Sequence, residues 1–289
     1  MYWWAQLKDT QVDVHIDTPL LTTYHAEHDI TYCSPGGTDL KLNAYIPDNK
    51  DRTFPLLVYV HGGGWYTGSK DTAAIEQYVP EVARLGYVVA SIDYRLAPAH
   101  TFPAQVEDVK CAIRFLRAQA ARYNINPARV GIMGESAGGY LAAFAGATGD
   151  TPAYKTGEYR DESDAVQAVV DLFGPSTFID EQATPAATRM ARNFLSGADA
   201  RGASVVTHVS KSTPPTLIVH GQDDQLVPYR QSQLLHSAIQ AKDGKSTLVP
   251  VTNAQHGLSA TPGRVTTPDL SSIRGTITSF LAEHLQEQQ

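Results

Sequence analysis

The chain has 289 residues, 42% hydrophobic and 18% charged, and a formal net charge of −7. That acidic balance argues against nucleic acid or an anionic membrane surface as partner, since both would repel it. No apolar run reaches the ~18–20 residues that span a bilayer, and the N-terminal MYWWAQLKDTQVD lacks the basic and apolar regions of a signal peptide, which leans towards the cytoplasm.

Residues 1–28 read as a polar leader, a short helix and a loop. ITYCS (30–34) and LKLNAYI (40–46) alternate apolar and polar residues around Pro-Gly-Gly, the pattern of an antiparallel hairpin. From residue 56 the pattern changes to short runs that are apolar on both faces: LLVYVH (56–61), YVVASIDY (87–94), RVGIMG (129–134), AVVDLFG (168–174), TLIVHG (216–221) and TLVPV (247–251). Such runs are expected of parallel strands covered on both sides. Helical patterns lie between them, the best being 105–121, where Val106, Val109, Ile113, Leu116 and Ala120 share one face. The fold class is therefore α/β, an eight-stranded, mostly parallel sheet with an antiparallel start and helices on both faces. No repeat or low-complexity tract divides it, so 1–289 reads as one domain. The stretch 175–214 is too long for a simple crossover and reads as a cap or lid insertion over the carboxyl edge of the sheet, where ligands bind in such folds.

Two cysteines cannot build a dense disulfide framework. Cys33 in a strand and Cys111 in a helix read as small structural fillers, not reactive thiols. With no paired-histidine motif, no metal is expected.

Two glycine-rich turns carry the chemistry. VHGGGWYTGSK (60–70) places three glycines behind a buried strand, so a backbone must come close to something negative. It has no G-x-x-x-x-G-K-[ST] pattern and sets an aromatic where a phosphate cradle needs backbone, which disfavours a nucleotide. RVGIMGESAGGY (129–140) holds Gly134-Glu135-Ser136-Ala137-Gly138, a G-x-S-x-G turn between a strand and an apolar helix. Such a turn lifts a serine hydroxyl clear of the sheet at a helix N-terminus.

A serine needs a base to take its proton. On this kind of turn the acid and then the histidine follow downstream. His208 precedes any suitable acid, His220 ends a strand and reads as a brace, and His236 and His284 fall in helices. His256 remains, in the loop NAQHGL after TLVPV. The acid lies in HGQDDQLVP (220–228), where spacing alone does not fully separate Asp223 from Asp224. Asp224 is favoured, with Asp223 as a turn residue. The acid would fix the imidazole tautomer and stabilise its cation.

HGGGW, DYRLAP (93–98), FPAQVEDV (102–109), GESAGG, HGQDDQLVP and QHG together resemble the α/β-hydrolase superfamily, among it the esterases related to hormone-sensitive lipase. AVQAVVDLFGPSTF (165–178) and the N-terminal hairpin are most similar to the BD-FAE group, the bifunctional feruloyl and acetyl-xylan esterases. The resemblance covers roughly 29–285. It implies a cofactor-independent serine carboxylesterase acting on short-chain acyl esters, acetylated or feruloylated carbohydrates among them. It makes Ser136 the nucleophile, Asp224 the acid and His256 the base, with Gly63, Gly64 and Ala137 as backbone donors to the oxyanion. Glu135 departs from the Asp common in many hormone-sensitive-lipase relatives, and residues 1–28 are too short for their N-terminal cap. In its place Phe178, Phe194 and Leu195 of the insertion are expected to wall the pocket, while Trp65 packs beneath the glycine loop or lines the pocket. Asp93, Tyr94 and Arg95 are expected to hold that loop through hydrogen bonds. The rival activities are an amidase of the arylformamidase type on the same triad and a non-catalytic binder, which would have lost a triad member. The partner is a small-molecule ester, and the sequence does not specify an oligomeric state.

Overall fold

The computed structural model describes residues 23–179 and 185–286. A sheet of eight strands runs through it: β1 (Tyr24–Cys33), β2 (Leu40–Pro47), β3 (Phe54–Val60), β4 (Val88–Ile92), β5 (Ile125–Glu135), β6 (Ala168–Leu172), β7 (Thr216–Gly221) and β8 (Ser246–Val251). Their spatial order is β1-β2-β4-β3-β5-β6-β7-β8. The pairs β1–β2 and β2–β4 are antiparallel and all later pairs are parallel. Among the described residues six α-helices accompany them: α1 (Ala73–Arg84), α2 (Ala104–Ala118), α3 (Ala137–Ala147), α4 (Pro185–Leu195), α5 (Arg230–Gln240) and α6 (Leu270–Leu285). This is the α/β-hydrolase architecture.

The central strands are apolar throughout because both faces are buried, and successive side chains feed opposite cores. In β3, Leu56, Val58 and Val60 join the core under α2 and α3, whereas Leu57 and Tyr59 join the one under α1 and α6. On α2, Val106, Val109, Ile113 and Leu116 are fully buried. The opposite flank of that helix is buried too, which its polar residues do not announce. Lys110 and Arg114 share Asp164 (2.7 and 3.1 Å) with no exposure of any of the three. They and Arg117 also donate to the backbone carbonyls of Thr148, Thr156, Glu158, Pro127 and Ser163. Buried charges persist only when paired and hydrogen-bonded in this way. Their effect is to clamp the 149–167 connection, which leads into β6, onto α2.

Two expectations need correction. The leader does not end at residue 28, because Tyr24–Glu27 already pairs with Ala44–Pro47. A register shift between Glu27 and Ile30 breaks the alternation, and an edge strand open on both faces has little apolar signature. The rest of the leader lies outside the described residues. The cysteines are not separate fillers: Cys33, at the end of β1, is disulfide-bonded to Cys111 on α2, with the Cα atoms 6.5 Å apart. Their separation of 78 residues conceals a proximity that arises only once α2 packs on the hairpin.

A crosslink closing a loop of that length restricts the unfolded chain by an amount worth about 4–5 kcal/mol in the chain-entropy model. Cys33→Ser combined with Cys111→Ser is therefore expected to lower the urea-unfolding free energy by up to that amount. Reductant should do the same to the native protein, and identical urea midpoints with and without reductant would contradict the bond.

Candidate active site

β5 ends at Glu135 and α3 begins at Ala137, so Ser136 stands alone between them, at φ 51° and ψ −118°. A non-glycine residue held there costs ~1–3 kcal/mol and persists only where its surroundings enforce it. The enforcement is steric. A Cβ on Gly134 would run into the Gly138 carbonyl, and one on Gly138 into the Val60 carbonyl at the end of β3. The Ser136 N–H donates to Leu172 O (2.8 Å), tying the turn to β6.

Ser136 Oγ lies 3.0 Å from His256 Nε2, and His256 Nδ1 lies 2.7 Å from Asp224 Oδ2. With Nε2 accepting from the hydroxyl, Nδ1 is the donor to the carboxylate. Asp223 turns away, its carboxylate accepting from Thr261 Oγ1 (2.6 Å). Asp224 Oδ1 accepts from the Leu226 and Val227 amides (2.8 and 2.9 Å). His220 completes the set. Its Nε2 faces Asp224 Oδ2 (3.2 Å) and Val227 O (2.9 Å), both acceptors, so Nε2 carries the proton and Nδ1 accepts from Ser232 Oγ (2.6 Å). Burial alone would raise the Asp224 carboxyl, but hydrogen bonds from His220, His256 and Val227 N outweigh it and hold the group well below the usual carboxylate range.

The glycine loop reaches the same place from β3. Gly63 (φ 109°), Gly64 (φ 60°) and Trp65 (φ 65°) all take left-handed backbone. Among the described residues the amides of Gly63 and Gly64 donate to no protein acceptor, nor does that of Ala137 at the open first turn of α3. Tyr94 stacks on His61 (4.2 Å) and its hydroxyl donates to His61 O (3.0 Å), fastening the loop from below. Burial pushes His61 down to about 4, so its ring is neutral, with Nδ1 donating to Gly62 O (2.6 Å). Asp93 accepts from the Lys70 amide (2.7 Å), while Arg95 ties the end of β4 to Asp108 and Glu107 of α2.

A cavity of about 280 Å³ opens beside Ser136. Gly64, Trp65, Ala137, Phe178 and Leu195 line it, and Gly63 is not among the lining residues. Phe194 requires correction: it is fully buried and stacks on Trp65 at 4.3 Å, supporting the wall from outside the cavity. The sequence reading missed Met190 and Arg192 on α4, and Val227 and Gln231 before and within α5. Helical spacing in PAATRMARNFL was the available signal. Met190 Sδ lies 2.6 Å from where a Gly64 Cβ would sit, so the loop and α4 interlock only because position 64 has no side chain. Among the described residues no group of three or more His, Cys, Asp or Glu could hold a metal ion, and no helix is long and apolar enough to cross a membrane.

The BD-FAE family profile matches residues 42–239. The chain belongs to the BD-FAE family. Among curated proteins it is 30% identical to the esterase LipC of Mycobacterium tuberculosis over 78% of this chain and 58% of LipC. It spans roughly half the length of the first curated relatives, from 44% to 59%. Among solved structures, a truncated carbohydrate esterase from gut microbiota superposes with a TM-score of 0.77 and 25% identity, over 93% of this chain and 99% of that one. A propionate-bound thermophilic esterase from Thermogutta terrifontis gives a TM-score of 0.76 and 27% identity, over 91% of this chain and 97% of that one. All three of these relatives are named as esterases.

One further carboxylate of this BD-FAE member sits beneath the site. Asp171, at the end of β6, is fully buried; its Oδ1 accepts from Gly174 N (2.9 Å), and its Oδ2 has no partner among the described residues. Burial pushes its carboxyl up to about 6, against the pull of the Gly174 amide and His220. A raised carboxyl pKa means that the native state holds its proton longer than the unfolded chain does. Stability from this group is present below about pH 4 and is lost as pH rises to about 6. Asp171→Asn cannot ionise, so the difference in Tm between variant and wild type should shift in the variant's favour across that window. A difference that stays constant with pH would show that Asp171 does not titrate there.

Proposed function

We propose that this chain is a serine carboxylesterase in which Ser136 is the nucleophile, His256 the base and Asp224 the acid. The reading takes the whole chain as one catalytic domain with 175–214 as a cap over the pocket. The observation that carries it is the unbroken relay from Ser136 Oγ through His256 to Asp224, at 3.0 and 2.7 Å, at the floor of a mostly apolar cavity.

In the first half-reaction Ser136 Oγ attacks the acyl carbon as its proton passes to His256 Nε2. Negative charge develops on the former carbonyl oxygen, which the free amides of Gly63, Gly64 and Ala137 receive. Each such donor typically contributes ~10²–10³ in rate. His256 then protonates the departing alkoxide, leaving Ser136 acylated. Water attacks the acyl carbon, giving its proton to His256, and the carboxylic acid leaves as Ser136 recovers its hydrogen. Asp224 keeps Nδ1 as the protonated nitrogen and stabilises the imidazolium without accepting its proton. His220 and the two amides at Asp224 hold that carboxylate in line.

Short acyl groups suit a cavity of about 280 Å³ whose wall beside Gly64 is already occupied by Met190. The propionate held by the Thermogutta terrifontis relative is consistent with that size. Acetyl or feruloyl groups on carbohydrate are the substrates that the family and the gut carbohydrate esterase suggest.

Ser136→Ala should abolish turnover of para-nitrophenyl acetate while leaving circular dichroism and Tm close to wild type; near-normal turnover would overturn the assignment. Asp224→Asn should lose ~10³–10⁴ in kcat by releasing the wrong tautomer of His256. A panel of acetyl, butyryl, octanoyl and feruloyl esters, compared with an N-formyl anilide, should show its maximum at two to four acyl carbons. A preference for octanoyl or for the anilide would contradict the short-chain esterase reading.

A further inference from the structure

The walls of the cavity are graded from buried to open. Trp65, Ala137, Thr177, Val227 and Gln231 are buried, Met190 and Leu195 are partly covered, and Thr188 and Arg192 are exposed. Thr188 and Arg192 are one helical turn apart on α4, so together they mark the mouth. Among the described residues Arg192 is the single charged one lining the cavity. Its guanidinium finds no acceptor among the described residues, unlike Arg95, Arg114 and Arg117, which are fully engaged. The helix that carries it holds Arg189 and Arg192 and no acid, in a chain whose net charge is −7. A cation on the rim of an apolar pocket, with no acceptor among the described residues, is placed to meet an anion arriving from solvent.

The direction in which the ester lies follows from Met190. Its sulfur fills the space against Gly64, beside the amides that would receive the oxyanion. Room for the acyl chain is short there, and the larger alcohol portion must extend towards the mouth. The geometry points to a substrate class: short-chain acyl esters whose alcohol carries a carboxylate, such as acetylated acidic sugars or hydroxy acids, with Arg192 reading the carboxylate. This rests on the serine esterase reading above and adds the charge of the leaving group to it. Arg192 is a specificity residue, forming a partly solvated ion pair with the substrate, and such a pair is worth about five-fold in affinity.

The test compares para-acetoxybenzoate with its uncharged counterpart para-acetoxybenzamide, each followed by chromatography of the released phenol. Within one enzyme the ratio of the two kcat/KM values mixes recognition with intrinsic reactivity. Between enzymes the intrinsic part cancels. Arg192→Gln should lower the benzoate-to-benzamide ratio about five-fold, and Arg192→Glu should lower it further. Arg189→Gln, on the same helix but away from the cavity, should leave the ratio at the wild-type value. For the wild type, salt at about 1 M, where the screening length falls to ~3 Å, should lower the ratio as the Gln variant does. A ratio unmoved by either Arg192 variant, or moved equally by Arg189→Gln, overturns the proposal while para-nitrophenyl acetate turnover keeps the esterase reading intact. Wild-type protein inactive on all three esters would overturn both.

Discussion

The site depends on one backbone-to-backbone contact, the start of α3 lying against the end of β3 with no side chain between them. Gly138 meets the carbonyls of Val60 and His61, and Gly62 meets the backbone and carboxylate of Glu135 in return. Two loops from different strands are thereby pressed together at their bases. Their free amides and the Ser136 hydroxyl end up around one small volume. A methyl group at position 138 would push the 134–138 turn away from the glycine loop and carry the Ser136 hydroxyl away from the amides of that loop. Burial raises the Glu135 carboxyl, and the neighbouring Gly62 amide pulls against that rise.

Around that contact the polar groups are arranged so that each buried charge has a stated partner. Asp224 is surrounded by donors from His256, His220 and two amides. Asp164 takes two cations from α2, and the remaining donors of that helix close onto backbone carbonyls. Asp171 is the exception, with one oxygen unsatisfied at the foot of the nucleophile turn. It explains why positions 139 and 174 are glycine, since a Cβ at either would collide with its other oxygen. The stability of the fold and the placement of the site therefore draw on the same few residues.

Much of this was legible in the residues because the physics there is local. Strands buried on both faces are continuous apolar runs, so β3 to β7 stand out, while β8 at the sheet edge is apolar but only partly covered. A glycine two places either side of a serine has few uses other than a sharp turn, which singles out Ser136. The order of downstream loops led to Asp224 and His256, and the geometry separates Asp224 from its neighbour Asp223 by which carboxylate meets the imidazole. What stayed hidden depends on tertiary packing. The first residues of β1 lie on an exposed edge, where burial imposes no pattern. Lys110 and Arg114 are charged yet buried, which the helix pattern does not announce, because their partners lie 38 to 54 residues away. Phe194 and Met190 belong to one short helix, and only its rotation decides which of them enters the cavity.

The disulfide has a consequence for how copies of this chain can meet. β1 lies at one edge of the sheet, joined through residues 34–39 to β2, and among the described strands it pairs with β2 alone. A hairpin at a sheet edge is the sort of element that two molecules can trade, each lending its arm to the other's sheet. The Cys33–Cys111 bond fastens the end of that arm to a helix of its own chain. While the bond is intact the hairpin cannot be released and exchanged, so the crosslink holds each sheet to its own strand.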